Sequence, residues 1–177
     1  MKSTTEAFIE AWIESRMRFS NQLQAITAED LRKKLPPSVN SAGFLIRHVG
    51  DVELLFAKNI FGAAEVKVSA KTVIDKYDTG EWIHLDELKE YVAHSFDTLL
   101  SIVEKQTATD WETQVTTKEF GTKTKAEAFG RIVSHTVETA KSQSGSEFNT
   151  LAIECLFDGS ARYLPFVAGL PDDAFRH

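Results

Sequence analysis

Apolar residues recur along the chain at i, i+3, i+4 in four long stretches, the period of an amphipathic helix with one buried face. The first runs from Thr5 to Ile26 and carries Phe8, Ile9, Trp12, Ile13, Phe19, Leu23 and Ile26 on one stripe. The second runs from Ser41 to Phe61, with Phe44, Leu45, Val49, Val52, Leu55, Phe56 and Ile60 inward and Gly62 as its terminator. The third, Leu85 to Lys105, presents Leu88, Val92, Phe96, Leu99 and Val103. The fourth starts at Thr124, where Thr124 and Glu127 have the spacing of a capping box, and continues through Phe129, Ile132, Val133, Thr136 and Ala140 towards Gly145. A short helical turn is expected over Thr27 to Leu35, closed by Pro36-Pro37.

Four helices of about 20 residues are each about 30 Å long. That set predicts an all-α protein, a four-helix bundle in one domain spanning residues 1–177. Two connections, Gly62 to His84 and Gln106 to Lys123, far exceed the short turns of an up-down bundle. Each is long enough to run the length of a helix, so they are expected to be crossover links. The second link holds Glu112 to Thr117 and then Phe120 to Thr124, which predicts a small hairpin around Gly121. A short helix over Phe148 to Phe157 and an irregular tail are expected to finish the chain. Trp82 and Trp111 fall in the links, where they are expected to plug one end of the bundle.

Composition excludes several classes. The chain of 177 residues has 42% hydrophobic and 26% charged residues, an ordinary globular mix with enough surface to bury a core unaided. A single cysteine, Cys155, rules out an intrachain disulfide, and its apolar surroundings read as packing. The first ten residues lack a signal-peptide core and no run approaches 18 apolar residues, so a cytoplasmic protein with no membrane contact is expected. A net charge of −6, with a pI near 5.4, disfavours nucleic acid as partner. Arg32-Lys33-Lys34 is too short a basic cluster to change that.

The candidate chemistry lies in the histidines. His94 sits about 160° around the wheel from its helix's stripe and reads as a surface residue. His84 precedes the third helix, and His177 is the last residue. His48, by contrast, lies inside the stripe of the second helix, and His135 borders that of the fourth. A lone core histidine usually satisfies a backbone carbonyl. Two on separate helices point to a shared polar site, because bundle cores are where metal sites are built. A shared site would bring the two rings within roughly 3–5 Å.

The run Ser41 to Glu53, SAGFLIRHVGDVE, resembles the second-helix signature of the DinB-like superfamily, a histidine followed by a short acidic stretch. The run Ala126 to Glu138, AEAFGRIVSHTVE, resembles that family's fourth-helix signature. Helix order, link lengths and overall size are similar too. The resemblance implies a bundle holding a divalent metal, zinc or nickel, through three histidines, one from the second helix and two at i and i+4 of the fourth. Those positions fall on His48, His135 and Thr139. A neutral threonine hydroxyl is a poor ligand, so the set is incomplete and metal occupancy is expected to be low. Glu138 points about 60° further from the core than His135 by helical geometry. Asp51, one turn after His48, is the better replacement ligand, or else a solvated carboxylate or a partner that orients a histidine. The resemblance implies a small-molecule-binding protein with a vestigial metal site. The alternatives are a metal-dependent thiol S-transferase or isomerase and a non-catalytic interaction bundle, and a second copy of the chain, as a homodimer, is an expected partner.

Overall fold

The computed structural model describes residues 2–34, 39–118 and 121–143, with the backbone alone for 137–143. The four long helices are present: α1 (Thr4–Ala25), α2 (Ala42–Asn59), α4 (Leu85–Val103) and α6 (Lys125–Gln143). Two short helices fall in the links, α3 (Lys71–Asp75) in the first and α5 (Ala108–Trp111) in the second. The fold is mostly helical, with one two-stranded sheet, β1 (Gln114–Thr117) antiparallel to β2 (Gly121–Thr124), paired from Gln114–Thr124 to Thr117–Gly121. The hairpin therefore lies where the sequence predicted it. The expected helix at Phe148 to Phe157, the tail and Cys155 lie outside the described residues.

Local chemistry sets the helix starts. Ser3 caps α1 and Glu6 reaches back to the Ser3 N–H at 2.7 Å, a reciprocal box. Ser41 accepts from the Phe44 N–H at the head of α2. The Thr124–Glu127 box opens α6 as expected, with bonds of 2.7 and 3.1 Å. The helical turn expected from Thr27 shrinks to three residues of 3₁₀ helix, Asp30–Arg32, because the Asp30 carboxylate takes both the Thr27 N–H and its hydroxyl and closes the chain into a turn.

Packing of α2 on α4 is the most extensive contact, followed by α1 on α6, with α2 on α6 and α1 on α4 completing the set. Two apolar clusters result. One gathers Trp12, Ala57, Leu99, Trp111, Phe129 and Ile132, and the other Phe19, Leu31, Ile46, Val49, Leu88 and Val92. The link tryptophans close different clusters. Trp111 is buried against Phe8, Phe61 and Phe129, and Trp82 packs at the edge of the second cluster.

On α1, α2 and α4 alike, the turn between the two clusters is polar: Arg16, Glu53 and Ser95 are all buried. The stripe of α1 therefore passes through Ser15 and Arg16. Ile13, expected inward, is 40% exposed.

Two glycines of α2 permit close approach. A Cβ on Gly43 would lie 1.9 Å from the Trp82 carbonyl oxygen, and one on Gly50 would lie 2.7 Å from the Tyr91 ring. Gly50 is thus what lets α4 bring Tyr91 against α2. No helix among the described residues is long and apolar enough to cross a membrane.

Candidate functional site

His48 and His135 meet. Their ring centroids are 5.0 Å apart with the planes at 54°. Two imidazoles bound tetrahedrally at about 2.1 Å place their centroids roughly 5 Å apart, so the spacing suits two rings turned to one point. His94 is exposed, as its wheel position implies; His84 is exposed too, and neither takes part in the pair.

A residue outside the long helices orients His48. The His48 Nδ1 lies 3.1 Å from the Thr72 hydroxyl on α3. Thr72 has one hydroxyl proton, and it goes to Asp51 Oδ2 at 2.7 Å. The hydroxyl must then accept from His48, so Nδ1 carries the imidazole proton and Nε2 the lone pair. An oriented neutral imidazole with its far nitrogen available as a lone-pair donor is the form that a metal ligand or a base requires.

Asp51 anchors this arrangement from full burial. Its Oδ2 also accepts the Thr72 N–H at 3.1 Å, while Oδ1 takes Arg47 Nε at 3.0 Å and the Tyr91 hydroxyl at 2.6 Å. Four donors from α2, α3 and α4 converge on one carboxylate, which offsets the cost of burying it. Burial and the neighbouring Asp51 push the Tyr91 hydroxyl well above the ordinary tyrosine range, so it remains a donor. Burial, reinforced by His135 and opposed by Asp51, lowers His48 from 6.5 to about 4, leaving it neutral at pH 7.

Backbone conformation at both ends of α3 is unusual. Ala70 and Lys76 take left-handed φ values of 49° and 64°. Such positions cost about 1 kcal/mol or more for residues with a Cβ and persist where the surroundings over-determine them. Here they hold Thr72 over Asp51.

Of the residues singled out in the sequence, His48, His135 and Asp51 thus lie in one connected neighbourhood. Thr139 lies in α6 one turn after His135, and its side chain is outside the described residues, as is that of Glu138. Among the described residues no group of three His, Cys, Asp or Glu side chains stands where it could hold a metal ion. Two imidazoles fall short of the three protein ligands of a catalytic zinc, and the described residues do not fit that group. Sequence reading missed Thr72, Arg47 and Tyr91. Arg47 and Asp51 did carry a signal, opposite charges at i, i+4. Thr72, in an aperiodic link, carried none.

Replacing Thr72 by the isosteric Val removes the acceptor for His48 and one donor to Asp51. We expect the His48 ring to shift from the Nδ1–H form to a mixture of tautomers, read from its ¹⁵N chemical shifts, with about 1–3 kcal/mol lost in urea unfolding. Unchanged ¹⁵N shifts would show that Thr72 does not set the tautomer.

The fold and this neighbourhood define a helical protein with an intramolecular histidine pair. The chain belongs to the DinB superfamily, whose sequence pattern matches residues 11–138. It is similar in fold to the crystal structure of the mycothiol-dependent maleylpyruvate isomerase, with a TM-score of 0.64 and 16% identity over 88% of this chain and 70% of that one. A histidine-to-alanine mutant of that isomerase gives a TM-score of 0.65 and 15% identity at the same coverage. Identities this low carry the fold and not the activity. No curated protein matches the chain.

Proposed function

We propose that this chain is a small-molecule-binding four-helix bundle of the DinB type, joined by two long crossover links, with His48 and His135 as two imidazoles of an incomplete metal site. The observation that carries the reading is the pair itself, 5.0 Å between centroids, with His48 held in one tautomer by Thr72. Asp51 serves here as the carboxylate that positions His48 through Thr72. Its two oxygens already accept from four donors, and ligation would require giving up some of them. A divalent ion, zinc or nickel, would find two nitrogens, and the third position of the family pattern falls in sequence on Thr139.

A second reading, a metal-dependent thiol S-transferase or isomerase, is favoured by the likeness in fold to the mycothiol-dependent isomerase. It requires a third ligand.

Titration of zinc and nickel into the wild type and Thr139→His, in the same buffer, separates the two. Residues four apart on a helix are neighbours, so an imidazole at 139 would stand beside His135. We expect the variant to bind at least tenfold more tightly, about 1.4 kcal/mol. Tight binding of one ion per chain by the wild type would favour the second reading and make Asp51 the first residue to replace. A variant that gains nothing would mean that His48 and His135 do not converge on an ion, and the incomplete-site reading would fail.

A further inference from the structure

A groove of about 640 Å³ runs between α2, Tyr91 of α4 and the extended part of the first link. Neither His48 nor His135 lines it. Arg47 and His48 are adjacent in sequence, which places them about 100° apart around the helix. The groove is therefore distinct from the histidine pair, although its Arg47 shares Asp51 with the bonds that orient His48.

Its charge is unusual for this chain. The protein carries a net −6, yet the groove presents Arg47, Lys58 and Lys67 against one acid, Glu65. Asp51 balances Arg47 from behind, and the two lysines outnumber Glu65 by one. Neither lysine has an ion-pair partner among the described residues. A local excess of one positive charge matches a singly charged anion.

Arg47 is set in place before any ligand arrives. Its Nε is bound to Asp51 at 3.0 Å and one terminal nitrogen to the Ser69 hydroxyl at 3.3 Å. Its guanidinium carbon lies 3.4 Å from the centroid of the Tyr91 ring and 4.9 Å from that of Trp82. The five N–H donors of a guanidinium outnumber these partners, and the planar fork matches a carboxylate. A side chain already immobilised loses little further entropy on binding. Beside it, Val68 and the outer part of Val66, which packs inward on the first apolar cluster, are half-buried along the same wall and leave an apolar surface to the groove.

We infer that this groove binds a small monocarboxylate with an apolar body, its carboxylate at Arg47, Lys58 and Lys67 and its hydrocarbon against Val66 and Val68.

Calorimetric titration at low ionic strength with hexanoate, acetate and inorganic phosphate tests the assignment. Hexanoate is expected to bind, more tightly than acetate because of the valines and more tightly than phosphate because of the fork and the single excess charge. Lys58→Ala/Lys67→Ala should weaken hexanoate at least tenfold with an unchanged far-ultraviolet circular dichroism spectrum. Both lysines are exposed and outside any described ion pair, so little stability is at stake. Lys67→Glu, in the link, gives the same readout with α2 untouched and should weaken hexanoate as well. The inference is overturned if hexanoate shows no saturation by about 10 mM. It is overturned equally if phosphate or acetate matches hexanoate, or if the lysine variants bind hexanoate like the wild type.

Discussion

Arg16→Met and Glu53→Leu, made singly, should each lower the unfolding free energy by about 3–5 kcal/mol, while the double variant loses far less than the sum. The two side chains are 5% and 0% exposed, and Arg16 Nε lies 2.8 Å from Glu53 Oε1. That approach is an ion pair and not an aligned hydrogen bond, since neither atom meets the geometry of one. The bonds that complete the cluster come from elsewhere. Arg16 donates to the Val92 carbonyl at 2.6 Å, and Ser95 donates to Glu53 Oε2 at 2.6 Å. The guanidinium packs 4.7 Å from the Phe19 ring and 5.4 Å from that of Phe96. Burial pushes the Glu53 carboxyl up, and Arg16 and Ser95 oppose it. Removing either partner strands a buried charge, whereas removing both leaves an apolar turn between two apolar clusters. A total stability of 5–15 kcal/mol, roughly, is usual for a domain, so the single losses should be plain in urea unfolding. Additive single effects would show that the pair is not coupled.

That cluster also marks where sequence periodicity stops informing. Hydropathy places Arg16 outside and Ile13 inside. A helix wheel sorts residues by type, and a charge buried with its partner has the same type as a solvated one. Partners for Arg16 come from α2 and α4, far along the chain, so no local pattern announces them. The long helices, the hairpin and the Thr124–Glu127 box were legible because each rests on neighbours in sequence. So was the meeting of His48 and His135, since both occupy stripe positions of helices that had to pack. The links were not. With five residues, α3 is too short for a period to register, and its place over Asp51 depends on left-handed Ala70 and Lys76. The shorter α5 did leave a signal, Thr107 and Asp110 at box spacing, which four residues of helix made easy to pass over. What Asp51 does depends on α3 and α4 arriving around it. Sequence alone therefore left ligand, solvated carboxylate and positioning carboxylate open, and full burial of Asp51 removes the solvated one.

Acidification should expose the state of His48. In metal-free buffer with a chelator, the wild type should lose about 2–3 kcal/mol of stability through this residue as pH falls from about 6.5 to about 4. The sign is set by which state holds the proton more readily. The folded His48 is lowered from 6.5 to about 4, chiefly by burial, while the unfolded chain titrates at the ordinary value. Across that window the unfolded state binds more protons, and stability drops as they become available. Below about pH 4 both states are protonated and the loss is complete. Glu6, Asp30, Asp78, Glu81 and Asp110 are held below the ordinary carboxylate range by their hydrogen bonds, so their contributions are lost mainly below pH 4.5, at the acid edge of the window, and equally in wild type and variant. Glu53 acts in the opposite sense, because a carboxyl raised by burial favours the folded state as pH falls. His48→Gln removes the titration and leaves the rest in place. Unfolding free energies from urea melts at half-unit steps should then be flatter for the variant between pH 4 and 6.5. Parallel curves would mean that His48 takes up its proton alike in the folded and unfolded chain, and that burial does not lower it.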